Sequence, residues 1–346
     1  MLFEALARRM TAQATGTPDD LPALGSGRPA SRIKIGLALG GGAARGWSHI
    51  GVLRVLERAG IRPDVIAGCS IGAVVGGCYA AGKLDEIEAF ALGLTKRRIM
   101  GLLDFHLGAS GLIGGGRLQK LLEHDLGSCR IEDLPFRFAT VATELVTGHE
   151  IWLTRGRLID ALRASYALPG VFDPVRIGGR WLVDGALVNP VPVTVARASG
   201  ADFVICVNLN GDIRLRGGTV IQQHSDGGDE PAAAPDAPRP GRFSLPFMDG
   251  AGRRQPKAPG PGIAAVMIDA FNITQDRISR SRLAGDPPDV MIAPKLARIG
   301  LFEFHRAAEC IELGRQAAER ALPDIRDYIE TAAGLGPAPN GQAVAM

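Results

Sequence analysis

The sequence predicts an α/β fold, with a mostly parallel central sheet covered by helices. Two observations carry that expectation. Short apolar runs of strand length alternate with segments of helical period from residue 32 onward. Two of the junctions where a strand gives way to a helix are rich in glycine, as tight turns at the edge of a sheet require.

Taken in order, Ile33 to Leu39 is an apolar run ending in glycines and reads as the first strand. Val52, Leu53, Leu56 and Ala59 then share one helical face, closed by Gly60. Val65 to Ala67 is the next strand, Ile71 to Ala81 a helix stopping at Gly82, and Asp85 to Leu94 and Arg117 to Leu126 two further helices. Phe136 to Glu144 and His149 to Thr154 pair through a turn at Thr147-Gly148, and Val175 to Val183 forms a second hairpin turning at Gly178-Gly179. A helix near Val193 to Ser199 leads to the strand Phe203 to Val207. The last segments are a helix from Ile263 to Leu283, a short strand Val290 to Ile292 and a helix from about Phe304 to Ala321. There is no internal repeat.

Composition sets the boundaries. With 46 Gly and 23 Pro among 346 residues, loop-forming residues are over-represented. They concentrate in two places. Residues 11 to 31 have no hydrophobic period, so 1–31 is expected to be a disordered leader before a catalytic core at 32–221. Between 222 and 262, 15 of 41 residues are Gly or Pro, which predicts a disordered insertion holding one apolar island, Phe243 to Met248. A C-terminal helical segment, 263–330, is expected to pack on the core, with a loose tail at 331–346.

Several function classes are excluded early. A net charge of +3, from 39 basic and 36 acidic side chains, is too even for nucleic acid as the main partner. Glu4, Arg8 and Arg9 interrupt the N-terminal stretch, and no long apolar run follows, so it does not read as a signal peptide. Val65 to Gly82 is uncharged for 18 residues and spaces Gly68, Gly72 and Gly76 as packed membrane helices do. At ~1.5 Å per residue, though, it barely spans a bilayer, and the stretch is better read as a buried strand, a turn and a buried helix. Five cysteines at 69, 78, 129, 206 and 310 contain no C-x-x-C pair, which fits a reduced cytoplasmic chain with no metal.

Two motifs carry chemistry. Gly68-Cys69-Ser70-Ile71-Gly72 matches G-x-S-x-G between an expected strand and an expected helix. A serine there is lifted out of the sheet edge, with the helix N-terminus behind it, and becomes a candidate nucleophile. Gly40-Gly41-Gly42-Ala43-Ala44-Arg45-Gly46 also follows a strand. It fails the dinucleotide fingerprint, because the frame from Gly40 ends on Arg45, and it fails the Walker pattern, because Trp47 stands where the lysine belongs. Two readings remain for it: an oxyanion hole, or a close strand–helix crossing that needs glycines.

The base for Ser70 is less direct. His305 lies in an amphipathic helix, where a surface or capping role suffices, and His49 reads as packed between helices. Asp184, in Trp181-Leu182-Val183-Asp184-Gly185-Ala186, ends an apolar strand and is the alternative base, although a turn aspartate before glycine is an ordinary sight.

In order along the chain, Gly40 to Gly46 running into Trp47-Ser48-His49-Ile50-Gly51-Val52-Leu53, then Gly68 to Gly72, Ala164-Ser165-Tyr166-Ala167-Leu168-Pro169 and Asp184-Gly185-Ala186 resemble the bacterial patatin-like phospholipases of the neuropathy target esterase type. The resemblance implies a three-layer α/β/α fold and a Ser70/Asp184 dyad without histidine. It also implies an oxyanion hole at Gly41, Gly42 and Ala43, with Gly40, Arg45, Gly46, Gly68, Gly72 and Gly185 supporting the motifs. Arg45 is open between substrate phosphate and loop structure. The implied activity is hydrolysis of lipid acyl esters, of phospholipase A or lysophospholipase type. It requires no cofactor and takes place in the cytoplasm or peripherally on the inner membrane face. A regulatory or scaffolding protein of the same fold is the rival expectation.

Overall fold

Five consecutive buried residues, Ile35–Leu39, form β1, and their alternation sorts the two faces of the sheet. Ile35, Leu37 and Leu39 join Ile66, Phe138, Ile205 and Val207 in the larger core, while Ala38 joins Val65, Ala67, Ala139, Val141, Val204 and Cys206 on the other face. This is the period-two pattern of a sheet covered on both sides. The computed structural model describes residues 32–102, 122–124, 126–211 and 263–332. The expected leader, the insertion, the chain after 332 and most of the helix expected over Arg117 to Leu126 lie outside the described residues.

After β1 come α1 (Ser48–Arg58), β2 (Val65–Cys69), α2 (Ile71–Ala80), α3 (Leu84–Leu92) and α4 (Lys96–Leu102). Then follow β3 (Arg137–Glu144), β4 (Glu150–Leu153), α5 (Leu158–Tyr166), β5 (Val175–Ile177), β6 (Arg180–Asp184), α6 (Val193–Ala198) and β7 (Phe203–Val207). The described chain closes with α7 (Ile263–Gly285), β8 (Val290–Ile292) and α8 (Ala307–Ala332). The sheet order is β5-β6-β3-β2-β1-β7-β8, with β4 also paired to β3. Pairings from β3 across to β8 are parallel, and those of β4, β5 and β6 antiparallel. The result is a mixed, mostly parallel sheet between helical layers. α1, α2, α3, α5 and α8 contribute to the larger core, and α6 to the smaller one, which Leu283 of α7 also touches.

The expected elements appear with small shifts, and the register of the hairpins follows their glycines. Gly148, Gly178 and Gly179 all have positive φ. Three differences have physical reasons. α5 was not expected, yet Leu158, Ile159 and Leu162 are fully buried at helical spacing. The seven-residue α4 was not expected either. α8 continues past Pro323 to Ala332, beyond the expected end at Ala321. Proline removes one backbone donor there, but the buried stripe Ala317, Ala318, Ala321, Ile325 runs straight across it.

One pairing positions the site. β2 runs along one side of β3 from Val65 opposite Arg137 to Cys69 opposite Val141, and stops. β6 takes over on β3 at Ala142, which faces Asp184, while β4 pairs with the same residues, placing Ile151 opposite Ala142. A strand residue has only two lateral neighbours, so β6 must lie in line with β2. The two strands point at each other, C-terminus to C-terminus. Asp184, the last residue of β6, therefore meets the first residue after β2, which is Ser70.

Candidate active site

Ser70 adopts φ 53° and ψ −124° between β2 and α2, a conformation that side chains rarely take. Among the described residues, only Ala43 and Ser70 are non-glycines at positive φ, and both sit in the two turns singled out by sequence. Such strain persists where surroundings hold it in place. The holding is visible. The Ser70 N–H donates to Ser165 Oγ at 2.9 Å, and Ser165 Oγ donates to the Val141 carbonyl at 2.6 Å. Ser165 is fully buried on α5, so that helix carries the strut behind Ser70. Glycines allow the close approach on the other side: a Cβ on Gly72 would collide with the carbonyls of Leu39 and Gly40. In the same way one on Gly46 would overlap the Ile71 side chain, and one on Gly185 the Val141 carbonyl.

Ser70 Oγ donates to Asp184 Oδ2 at 2.7 Å, and the other carboxylate oxygen accepts the Ala186 N–H at 2.8 Å. The Asp184 backbone is fixed as well, its N–H to the Ala167 carbonyl and its carbonyl to Thr143 Oγ1, each at 2.9 Å. Ser70 is 9% exposed and Asp184 2%. Burial pushes the Asp184 carboxyl up to about 6, against the opposing pull of the Ala186 and Ser70 hydrogen bonds. A carboxylate with that affinity accepts a proton far more readily than one free in water. α2 adds the positive end of its dipole behind Ser70.

The glycine loop lies against this pair. A Cβ on Gly41 would stand 3.4 Å from those of Ser70 and Ala186. The Gly40 N–H donates to the Val207 carbonyl at 3.1 Å and the Gly41 N–H to the Pro190 carbonyl at 2.9 Å. This differs from the sequence expectation for Gly41, whose donor is already committed. The N–H groups of Gly42 and Ala43 take no backbone acceptor among the described residues. Arg45 donates through Nε to the Ile299 carbonyl at 2.9 Å and through Nη1 to Asn210 Oδ1 at 3.4 Å, tying the loop to the segments after β8 and β7.

Among the described residues, no histidine bonds Ser70 or Asp184. His49 is buried in α1 with Nε2 at 2.8 Å from the Gly40 carbonyl, and His305 sits in the single turn before α8. Sequence reasoning did not identify Ser165 or Pro190 as partners, although Ser165 lies inside one of the quoted blocks. Among the described residues, no group of three or more His, Cys, Asp or Glu is placed to hold a metal ion.

The patatin-like phospholipase family profile matches residues 37–197, a span that holds the glycine loop, Ser70, Ser165 and Asp184. A relative in Mycobacterium tuberculosis strain H37Rv, described as an uncharacterized NTE family protein, is 34% identical over 85% of this chain and 93% of its own length. The chain belongs to the patatin-like phospholipase family. A longer NTE family protein of the same strain is 33% identical over 87% of this patatin-like chain and 49% of its own. The lysophospholipase NTE1 of Yarrowia lipolytica is 35% identical over 51% of this chain but only 12% of that protein. Among solved structures, VipD from Legionella pneumophila matches 85% of this chain and 67% of its own at TM-score 0.40 and 13% identity, too loosely to carry an argument.

Proposed function

We propose that this patatin-like protein is a serine hydrolase of lipid acyl esters, working through a Ser70/Asp184 dyad. The observation that carries the reading is the buried 2.7 Å hydrogen bond from Ser70 Oγ to an aspartate whose affinity for protons is raised by burial. Family membership and the lysophospholipase named among its relatives support the substrate class.

In the proposed reaction Asp184 Oδ2 takes the Ser70 proton as Oγ attacks the ester carbonyl. The negative oxygen of the tetrahedral intermediate is stabilised by the N–H groups of Gly42 and Ala43, while Gly41 acts as the spacer that lets the loop approach Ser70. The carbon–oxygen bond to the alcohol breaks and Asp184 returns its proton to that oxygen. Water then gives a proton to Asp184 and attacks the acyl-serine, and Asp184 passes that proton to Ser70 Oγ as the carbon–oxygen bond breaks and the fatty acid leaves. Arg45 is assigned to loop structure, on the strength of its bonds to Ile299 and Asn210.

Work at a lipid surface has its own support. β3 runs on past the end of β2, so the turn after it projects beyond the sheet edge where Ser70 lies. That turn exposes Leu145 at 54% and Val146 at 83%, beside Trp181 at 47%. Exposed aliphatic and tryptophan side chains together suit peripheral seating at an interface. No helix among the described residues is long and apolar enough to cross a membrane.

The test is direct. Ser70→Ala is expected to reduce hydrolysis of a short p-nitrophenyl ester to background and to abolish fluorophosphonate labelling, with circular dichroism unchanged. Labelling that persists on another serine of the variant sinks the assignment.

A further inference from the structure

We infer that His49 is a positioning residue that locks the glycine loop, holding the N–H groups of Gly42 and Ala43 in the direction an oxyanion needs. The inference rests on the esterase reading for its consequence, but its geometry stands apart from it.

A carbonyl oxygen only accepts, so the His49 nitrogen 2.8 Å from Gly40 O must carry the hydrogen. The imidazole is thereby fixed as the Nε2–H tautomer. Its Nδ1 is then a buried lone pair with no hydrogen-bond partner among the described residues. The same peptide unit is gripped at its other end, because its N–H is that of Gly41, bonded to the Pro190 carbonyl at 2.9 Å. A peptide plane held at both its oxygen and its nitrogen cannot rotate without losing two buried hydrogen bonds, at about 1–3 kcal/mol for each group left unpaired.

The next two peptide units carry the uncommitted N–H groups of Gly42 and Ala43. Ala43 sits at φ 48°, a strained conformation for a residue with a Cβ. Left to itself, the loop would relax by rotating these planes. His49 and Pro190 hold the upstream side, and Ala44, whose N–H donates to the Leu301 carbonyl at 2.9 Å, holds the downstream side.

The residue type fits the task. The donor must reach from the second residue of α1 back to a carbonyl nine positions earlier, in a fully buried site. Lysine or arginine would bring a permanent charge into that site, and serine is too short. Burial holds the imidazole down to about 4, so it stays neutral through the physiological range.

Two variants of equal polarity test the lock. His49→Gln can place an amide N–H near the position of Nε2, whereas His49→Asn reaches only the position of Nδ1. The expected result is that kcat on a p-nitrophenyl ester stays within about 3-fold for the Gln variant. It falls by about 10- to 100-fold for the Asn variant, less than the loss of a whole oxyanion donor, with KM unchanged in both. Equal kcat in the two variants, or a loss confined to KM, overturns the inference. Should neither variant fold, nitrogen-15 NMR of the unmodified protein decides. The lock requires a neutral Nε2–H tautomer at pH 7, and phosphonylation of Ser70 must shift the Gly42 and Ala43 amides while leaving Gly41 in place. An Nδ1–H tautomer, or a Gly41 amide that moves with the others, rejects it. Failure of the esterase reading shows separately, as an unmodified protein that neither turns over ester nor is labelled at Ser70.

Discussion

The turns after β1 and β2 meet at one site, and each strains one non-glycine residue into positive φ, yet they are held in different ways. The turn after β2 is braced by side chains: Ser165 holds the Ser70 N–H and Asp184 holds its hydroxyl. The turn after β1 is braced mainly by backbone carbonyls drawn from Val207, Pro190 and Leu301, with His49, Ser48 and Arg45 contributing side chains. The first arrangement is fragile to single substitutions. The second spreads its load over distant parts of the chain, so apart from His49 one substitution there changes less.

That contrast can be broken most sharply at Asp184. Asp184→Asn keeps the size and hydrogen-bonding capacity of the side chain and removes the basic oxygen, so kcat/KM is expected to fall by ~100-fold or more. In the unmodified protein kcat/KM should rise with pH to a plateau, with a midpoint at about 6, because only the ionised carboxyl is a base. Stability moves the opposite way. Burial raises the carboxyl from 3.8 to about 6, so the folded form binds this proton more tightly than the unfolded form. This group therefore stabilises the fold most below pH 3.8, and that contribution is lost as pH rises through about 6. Asp184→Asn should consequently raise the melting temperature at pH 8, by on the order of 2–3 kcal/mol in stability, with the gain shrinking toward pH 4. A variant that loses both activity and stability at pH 8 would show that burial does not destabilise the ionised Asp184 carboxylate.

Ser165→Ala comes next. It strips the Ser70 N–H of its acceptor and the Val141 carbonyl of its donor, both in a buried setting. The expected cost is ~2 kcal/mol in chemical denaturation together with a kcat loss of roughly 10-fold. Away from His49, the other turn should yield less. Arg45→Met keeps the aliphatic stem but frees the loop from Ile299 and Asn210, and kcat should drop by only about 3-fold. If Arg45→Met proves worse than Ser165→Ala in rate, the contrast between the two turns is reversed. Smallest of all, His305→Gln should leave kcat within about 2-fold, since the residue sits in the turn before α8 and outside the hydrogen-bonded site. A loss approaching that of Ser70→Ala would reject the dyad in favour of a triad.

The same contrast explains what could be read from the chain alone. The Ser70 turn is a local object: Gly68, Ser70 and Gly72 announce it within five residues, and an apolar strand ending in Asp184-Gly185 announces its partner. The glycine loop announces its presence but not which of its N–H groups are committed. That depends on Pro190 and Leu301, which reach it only through the fold. Nor could spacing show that β6 would line up with β2, because the register is decided by the stretch of β3 left unpaired beyond Val141. α5 was legible in principle from Leu158, Ile159 and Leu162, but nine residues after a hairpin offer a short window for a helical period.

The bonds from the glycine loop to Ile299 and Leu301 have a consequence in the order in which the chain is made. Synthesis delivers Ser70 first, Asp184 after more than a hundred further residues, and the downstream anchors of the loop after more than a hundred again. A chain still on the ribosome therefore carries its serine long before its glycine loop is held in shape. On the proposed reading, ester hydrolysis waits until the segment at 299–301 has folded back onto that loop, so a chain terminated before Ile299 is expected to be a silent product rather than an uncontrolled hydrolase.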